Sequence, residues 1–161
     1  MDARDLKVSK INVKENLDAL FALDVKVAKA RPALLPLETK KALLAFLTKD
    51  HDSETWLWRA SDASPVAYVS LIDKPKEGVM EVLRICVDPA FQSKGIGRLM
   101  MGFAEKLAAK LGRKRMELVT NKKNLEAIGF YKRMGYGIVK EMKNYYGDGE
   151  TRYLCEKTVR T

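Results

Sequence analysis

The chain begins with alternating apolar and polar residues, Leu6-Lys7-Val8-Ser9-Lys10-Ile11-Asn12-Val13, the two-residue period of a half-buried strand. From Asn16 the period lengthens. Leu17, Leu20, Phe21, Val27 and Ala28 recur at helical spacing until Pro32, which cannot continue a helix. The pattern predicts a second helix that starts after Pro36 and runs through Leu43, Leu44 and Leu47. Strands Thr55–Ala60 and Val66–Ile72 follow, separated by the turn-forming Ser61-Asp62-Ala63-Ser64-Pro65. A longer strand, Val79–Val87, stops at Asp88-Pro89. Beyond a glycine-bearing turn, Ile96, Leu99, Met100, Phe103, Leu107 and Leu111 form an apolar stripe, while Lys94, Arg98, Lys106 and Lys110 fall off it. That is an amphipathic helix with Gly112 as its stop. Met116–Thr120 reads as a short strand, and Asn124 as the N-cap of a helix through Met134 that Gly135 ends. Tyr136–Met142 and Thr151–Thr158 read as closing strands on either side of Gly147-Asp148-Gly149.

Many of these strands follow one another directly. The order therefore favours an α/β (α+β) fold with a mixed, mostly antiparallel sheet and helices on its faces, over a doubly wound parallel sheet. No repeat, low-complexity tract or Gly/Ser-rich linker interrupts the 161 residues, so one domain over residues 1–161 is expected. With 47% apolar and 32% charged residues the composition is globular, and no staple is required at this size. No apolar run reaches the ~18–20 residues of a membrane span. The opening MDARDLKVSK lacks the apolar core of a secretory signal, so a cytoplasmic location is expected. Cys86 and Cys155 each lie in a strand-like run and read as buried thiols in a reducing compartment.

The formal charge of +9 changes the picture of partners. It would speed encounter with nucleic acid, ribosome, acidic peptide or a phosphorylated cofactor, and does not choose among them. The short clusters Arg113-Lys114-Arg115 and Lys122-Lys123 read as a solvated face.

Chemistry enters at Val87-Asp88-Pro89-Ala90-Phe91-Gln92-Ser93-Lys94-Gly95-Ile96-Gly97-Arg98. Here a strand ends, glycines turn the chain, and a helix starts whose first N–H groups lack internal partners. Glycines at 95 and 97 carry no side chain to keep a phosphate from those amides, and Lys94 and Arg98 add charge. The segment fits neither a P-loop nor a dinucleotide-binding fingerprint, and a plain glycine turn is the alternative.

Gln92-x-x-Gly95-x-Gly97 after Val-Asp-Pro resembles the acetyl-CoA-binding motif of the Gcn5-related N-acetyltransferases (GNAT). Asn124-x-x-Ala127-x-x-x-Tyr131-x-x-x-Gly135-Tyr136 resembles a second segment of that family, one helix and one strand further on. Together the two cover Val79 to about Val139. The resemblance implies the element order β-α-α-β-β-β-α-β-α-β-β, with about seven strands, four helices, and fourth and fifth strands that splay apart. In that arrangement the backbone of Ile85, Cys86 and Val87 pairs with the pantetheine arm of acetyl-CoA. The turn Gln92, Ser93, Lys94, Gly95, Ile96, Gly97 and Arg98 holds the diphosphate, and Asn124 touches the cofactor arm. An N–H near Val87 holds the oxyanion. No metal is implied.

The resemblance gives Tyr131 the role of general acid. A phenol suits it, since an unperturbed pKa near 10 leaves the proton in place at neutral pH; a core tyrosine is the alternative. Glu81, eight residues before Pro89, lies where many relatives carry a glutamate that takes the amine proton through water. A free glutamate, with a pKa near 4.3, is a weak base unless burial raises it. Strict alternation places it on the face of Leu83, Ile85 and Val87; an exposed or salt-bridged carboxylate is the alternative. His51, the only histidine, sits in the polar run Lys49-Asp50-His51-Asp52-Ser53 and reads as a loop residue.

The segment Asn144-Tyr145-Tyr146-Gly147-Asp148-Gly149-Glu150-Thr151-Arg152-Tyr153-Leu154 resembles a stretch of protein N-terminal acetyltransferases, including the ribosomal-protein type. Tyr145, Tyr146 and Tyr153 would then line the acceptor groove. Leu154-Cys155 departs from the usual ending, and the stretch from Ala28 to Pro36 matches no acceptor-binding sequence. The expectation is an acetyl-CoA-dependent transferase acting on a primary amine such as a peptide N-terminus. The alternatives are a small-amine acetyltransferase and a non-catalytic CoA- or nucleic-acid-binding module. Nucleic acid is the weaker of these because the basic clusters lack interleaved aromatics. Membrane association is not expected, and the sequence leaves a homodimer open.

Overall fold

The computed structural model describes residues 2–31, 39–50 and 52–160. His51 and the stretch after Pro32 in which the second helix was expected to open lie outside them. Among the described residues seven strands are present: β1 (Lys7–Ile11), β2 (Ser53–Arg59), β3 (Pro65–Lys74), β4 (Val79–Val87), β5 (Arg115–Asn121), β6 (Gly137–Met142) and β7 (Arg152–Thr158). Four helices accompany them: α1 (Leu17–Ala30), α2 (Lys40–Leu47), α3 (Ile96–Lys110) and α4 (Leu125–Arg133). The strands form one mixed sheet in the order β1-β2-β3-β4-β5-β7-β6. β4 and β5 are parallel, whereas β1–β2, β2–β3, β5–β7 and β6–β7 are antiparallel. Two 3-10 turns, Ala3–Asp5 and Pro89–Phe91, complete the order and were not expected from the sequence. Among the described residues no helix is long and apolar enough to cross a membrane.

Local chemistry sets the boundaries. Thr39 caps α2 by accepting the Ala42 N–H at 3.0 Å, and Asn124 caps α4 by accepting that of Ala127 at 3.2 Å. α4 ends at Arg133 with Met134 as its C-cap, and Gly135 follows at a φ of +95° that favours glycine, where an added Cβ would lie 3.4 Å from Lys157 Cε.

Contacts divide the chain into two compact units. The first comprises Met1–Ile72 and Leu83–Phe103. Its core joins Leu20 and Leu23 of α1, Leu43 and Leu47 of α2, Leu57, Tyr68 and Cys86, all buried. Trp56 and Trp58, which flank Leu57 and so face the other side of β2, meet Phe103 of α3 edge-on at 4.9 and 5.2 Å. These contacts seat the N-terminal half of α3 on the sheet. The second unit comprises Asp73–Val82 and Ala104–Thr161. Met116, Leu118 and Thr120 alternate as the buried face of β5, while α4 buries Ile128 and Tyr131. On β6, Val139 is an extra residue between the Ile138–Cys155 and Lys140–Leu154 pairs, a bulge on an edge strand.

The burial of β4 follows the expected alternation. Glu81, Leu83, Ile85 and Val87 are partly buried, whereas Met80, Val82 and Cys86 are buried. Leu83 packs against the core cluster that contains Tyr68 and Cys86, and Arg84 reaches Tyr68. The β4–β5 ladder runs from Val79–Arg115 to Val82–Leu118.

Candidate active site

Of the residues assigned to the cofactor, Ile85 to Val87 and Gln92 to Arg98 lie in the first unit and Asn124 in the second. Glu81, Tyr131, Tyr145, Tyr146 and Tyr153 also lie in the second.

In the first unit Asp88 ends β4 and begins the turn. Its N–H donates to the Val66 carbonyl at 2.8 Å and its Oδ1 accepts the Ala90 N–H at 3.0 Å. The Gln92 side chain folds back, donating from Nε2 to the Val87 carbonyl at 3.3 Å and accepting from Arg31 Nη2 at 2.7 Å. Ser93 and Gly95 then adopt left-handed φ values of +64° and +77°. Among the described residues, a Cβ built on Gly95 meets nothing within 4 Å, so the turn lies open to that depth. Ser93, Lys94, Gly95 and Arg98 are exposed, and α3 carries no acidic residue in its first turn. The amides of Ile96, Gly97 and Arg98 have no acceptor within the helix. Open space, free amides, a positive helix end and flanking Lys94 and Arg98 fit a diphosphate.

Behind β4 lies a polar cluster that the sequence reading missed. Asp24 is 2% exposed, yet its Oδ1 accepts from the Tyr68 hydroxyl at 2.6 Å and its Oδ2 from Arg84 Nη2 at 2.9 Å. Arg84 Nε also donates to the Tyr68 oxygen at 3.1 Å. Burial, followed by the neighbouring Asp24 carboxylate, pushes the Cys86 thiol well above its ordinary value. The signal was present, because Asp24 occupies a slot in the apolar stripe of α1, seven residues after Leu17 and three before Val27.

In the second unit Tyr131 is 7% exposed, between Phe130 and Tyr136 with ring centroids 5.4 and 5.9 Å away. Its hydroxyl has no hydrogen-bond partner among the described residues. Burial, and secondarily the Cys155 thiol, raise the Tyr131 phenol well above its ordinary value near 10. The phenol therefore keeps its proton through the physiological range. Glu81 is largely buried and pairs with Lys74, its Oε1 lying 3.6 Å from Nζ. Across β5 it faces Glu117, which pairs with Arg115 at 3.2 Å. This is the salt-bridged arrangement weighed above for Glu81.

The β6–β7 loop presents Tyr145 and Tyr146 nearly half exposed, edge to face at 4.7 Å. It is braced from within. Asn144, at φ +52°, accepts the Gly149 N–H at 2.7 Å. Arg152 grips Asp148 with bonds of 2.8 and 3.2 Å, holding that carboxyl below its ordinary value, and lies 5.1 Å from the Tyr146 ring. Tyr153 is half-buried on β7 with Lys122 Nζ 5.9 Å from its ring.

Comparison with known proteins gives these features a context. Residues 22–136 match the model of the acetyltransferase (GNAT) family. An uncharacterized N-acetyltransferase of Methanocaldococcus jannaschii is 36% identical over 80 residues, which is 47% of this chain and 35% of the relative. The chain thus spans about a third of the length of that curated relative. The fold is shared with the ribosomal-protein-S18-alanine N-acetyltransferase of Escherichia coli, with a TM-score of 0.77 at 18% identity over 97% of this chain and 95% of that one. It is shared with Ard1 of Thermoplasma volcanium, with a TM-score of 0.78 at 20% identity over 98% and 99%. A spermidine/spermine N-acetyltransferase of Vibrio cholerae gives a TM-score of 0.72 at 16% identity over 97% and 94%.

Proposed function

This chain belongs to the acetyltransferase (GNAT) family, and from that premise we propose that it transfers acetyl from acetyl-CoA to a primary amine, with a peptide N-terminus as the favoured acceptor. The observation that carries the reading is the turn at the start of α3, where the amides of Ile96, Gly97 and Arg98 have no acceptor within the helix and, among the described residues, nothing lies within 4 Å of a Cβ built on Gly95. Acetyl-CoA supplies the acetyl group as an activated thioester. The turn holds its diphosphate, and the backbone of Ile85 to Val87 aligns its arm.

Tyr131 supplies a proton donor for the departing sulfur. An ordinary thiol has a pKa near 8.5, so a phenol held well above 10 gives up its proton to such a thiolate only at a cost. Its contribution is a hydrogen bond that strengthens as negative charge gathers on sulfur. Glu81 takes the amine proton through water, its carboxylate held in place beside Lys74. Tyr145, Tyr146 and Tyr153 offer flat faces and hydroxyls to a peptide backbone.

A second reading, a small polyamine acceptor, has one observation in its favour. Glu81, Glu117 and Glu156 stand side by side on β4, β5 and β7. Lys74 and Arg115 already balance much of that charge, and the +9 total repels a polycation at long range. Thiol release from acetyl-CoA, followed across peptides, polyamines, amino acids and aminoglycosides, tests both readings. Release with peptides above all others is expected. Release with polyamines alone would move the acceptor to the second reading, and no release with any amine would overturn the transferase reading.

A further inference from the structure

We propose that Arg31, at the C-terminal end of α1, is a positioning residue for the cofactor turn and acts through Gln92. This rests on the reading that Ser93 to Arg98 hold the CoA diphosphate. Two cations from α1 grip the flanks of the 3-10 turn Pro89–Phe91 that leads into that segment. Lys26 Nζ donates to Asp88 Oδ2 at 3.0 Å, just before the turn. Arg31 Nη2 donates to Gln92 Oε1 at 2.7 Å, just after it. Asp88 and Gln92 are the N-cap and C-cap of the turn.

The Gln92 amide joins the two halves of the cofactor segment. Its oxygen accepts from Arg31 while its nitrogen donates to the carbonyl of Val87, the last residue of β4. Only one orientation satisfies both contacts, because a flipped amide would set NH2 against a guanidinium and oxygen against a carbonyl. A charge-assisted bond from Arg31 therefore fixes which way Gln92 points. Gln92 in turn fixes the distance between the end of β4 and Ser93, whose left-handed φ opens the turn. Lys26 has most of its side chain in solvent, so its grip on Asp88 is a weak one.

The test is a double-mutant cycle read by calorimetric titration with CoA. Arg31→Ala and Gln92→Ala should each raise the CoA Kd about tenfold, while the double variant should be no weaker than either single one. Arg31→Lys, which still offers a donor to Oε1, should recover most of the loss. The thermal midpoint of Arg31→Ala should match the parent's, as a general loss of packing would not allow. Parent-like CoA binding by Arg31→Ala would overturn the proposal. So would losses that multiply in the double variant, because Arg31 would then act on the ligand independently of Gln92. A parent that fails to bind CoA would refute the underlying reading itself, an outcome distinct from both.

Discussion

Tyr68 and Tyr131 are both buried phenols with raised pKa values, and they differ in what their hydroxyls touch. Tyr68 donates to Asp24 and accepts from Arg84, so its proton is committed to a charged network inside the first unit. Tyr131 stands in the second unit among aromatic rings, beside Cys155, with no hydrogen-bond partner among the described residues. Burial alone therefore does not make a buried tyrosine chemical. A phenol already engaged by a carboxylate stabilises the fold, whereas an uncommitted one can answer charge that appears on a ligand. Tyr136 marks the limit of that argument, since its hydroxyl is also unpartnered but fully enclosed.

The comparison breaks most severely at Asp24. Asp24→Ala leaves Arg84 and the Tyr68 hydroxyl without their buried acceptor and should cost about 3–5 kcal/mol in urea unfolding. A loss below ~1 kcal/mol would show that the network does not bear on stability. Next come the phenols themselves. Tyr131→Phe should lower kcat about 100-fold, with CoA affinity and stability unchanged. Tyr68→Phe should instead cost about 1–3 kcal/mol of stability and leave kcat per folded molecule within about threefold. Equal effects of the two substitutions on kcat would erase the distinction.

Alkaline titration sharpens the same contrast at smaller amplitude. Tyr68, Tyr131, Cys86 and Cys155 all have pKa values raised above their unfolded ones, foremost by burial. At high pH the unfolded chain releases protons that the native one keeps. The stability they confer is complete below about pH 8.5, where unfolded thiols begin to titrate, and falls further above about pH 10 as phenols follow. Urea midpoints at pH 8 and pH 10.5 should show that fall, and a rising midpoint would contradict the burial assigned here. The smallest effect belongs to Gly95→Ala. Its φ of +77° imposes about 1 kcal/mol of strain without a clash, and CoA binding by calorimetry should weaken a few-fold. Unchanged binding would show that the turn's backbone is not where the cofactor sits.

How far the sequence reveals this molecule depends on the range of the interaction. The α3 stripe, the bounds of β4, the Asn124 cap and the Gly135 stop are legible because each is a local pattern. The Asp24–Tyr68–Arg84 cluster is not, since its members lie 44 and 60 residues from Asp24 and meet only when α1 packs on the sheet. The same holds for the contacts of Lys26 and Arg31 with the cofactor turn, 62 and 61 residues away. The partial burial of Glu81 is legible too, because alternation along β4 is local: 81, 83, 85 and 87 are partly buried and 80, 82 and 86 buried. The positions of Tyr131 and of the tyrosines at 145, 146 and 153 came from motif resemblance; the braces around the β6–β7 loop came only with the coordinates.

The central claim is that the amides from Ser93 to Arg98 grip the CoA diphosphate. Titrating 15N-labelled protein with CoA and following backbone amide resonances tests it without requiring an acceptor. The account predicts the largest saturable shifts at Gly95, Ile96, Gly97 and Arg98. Saturable shifts confined to other regions, with these four amides unmoved, would contradict it.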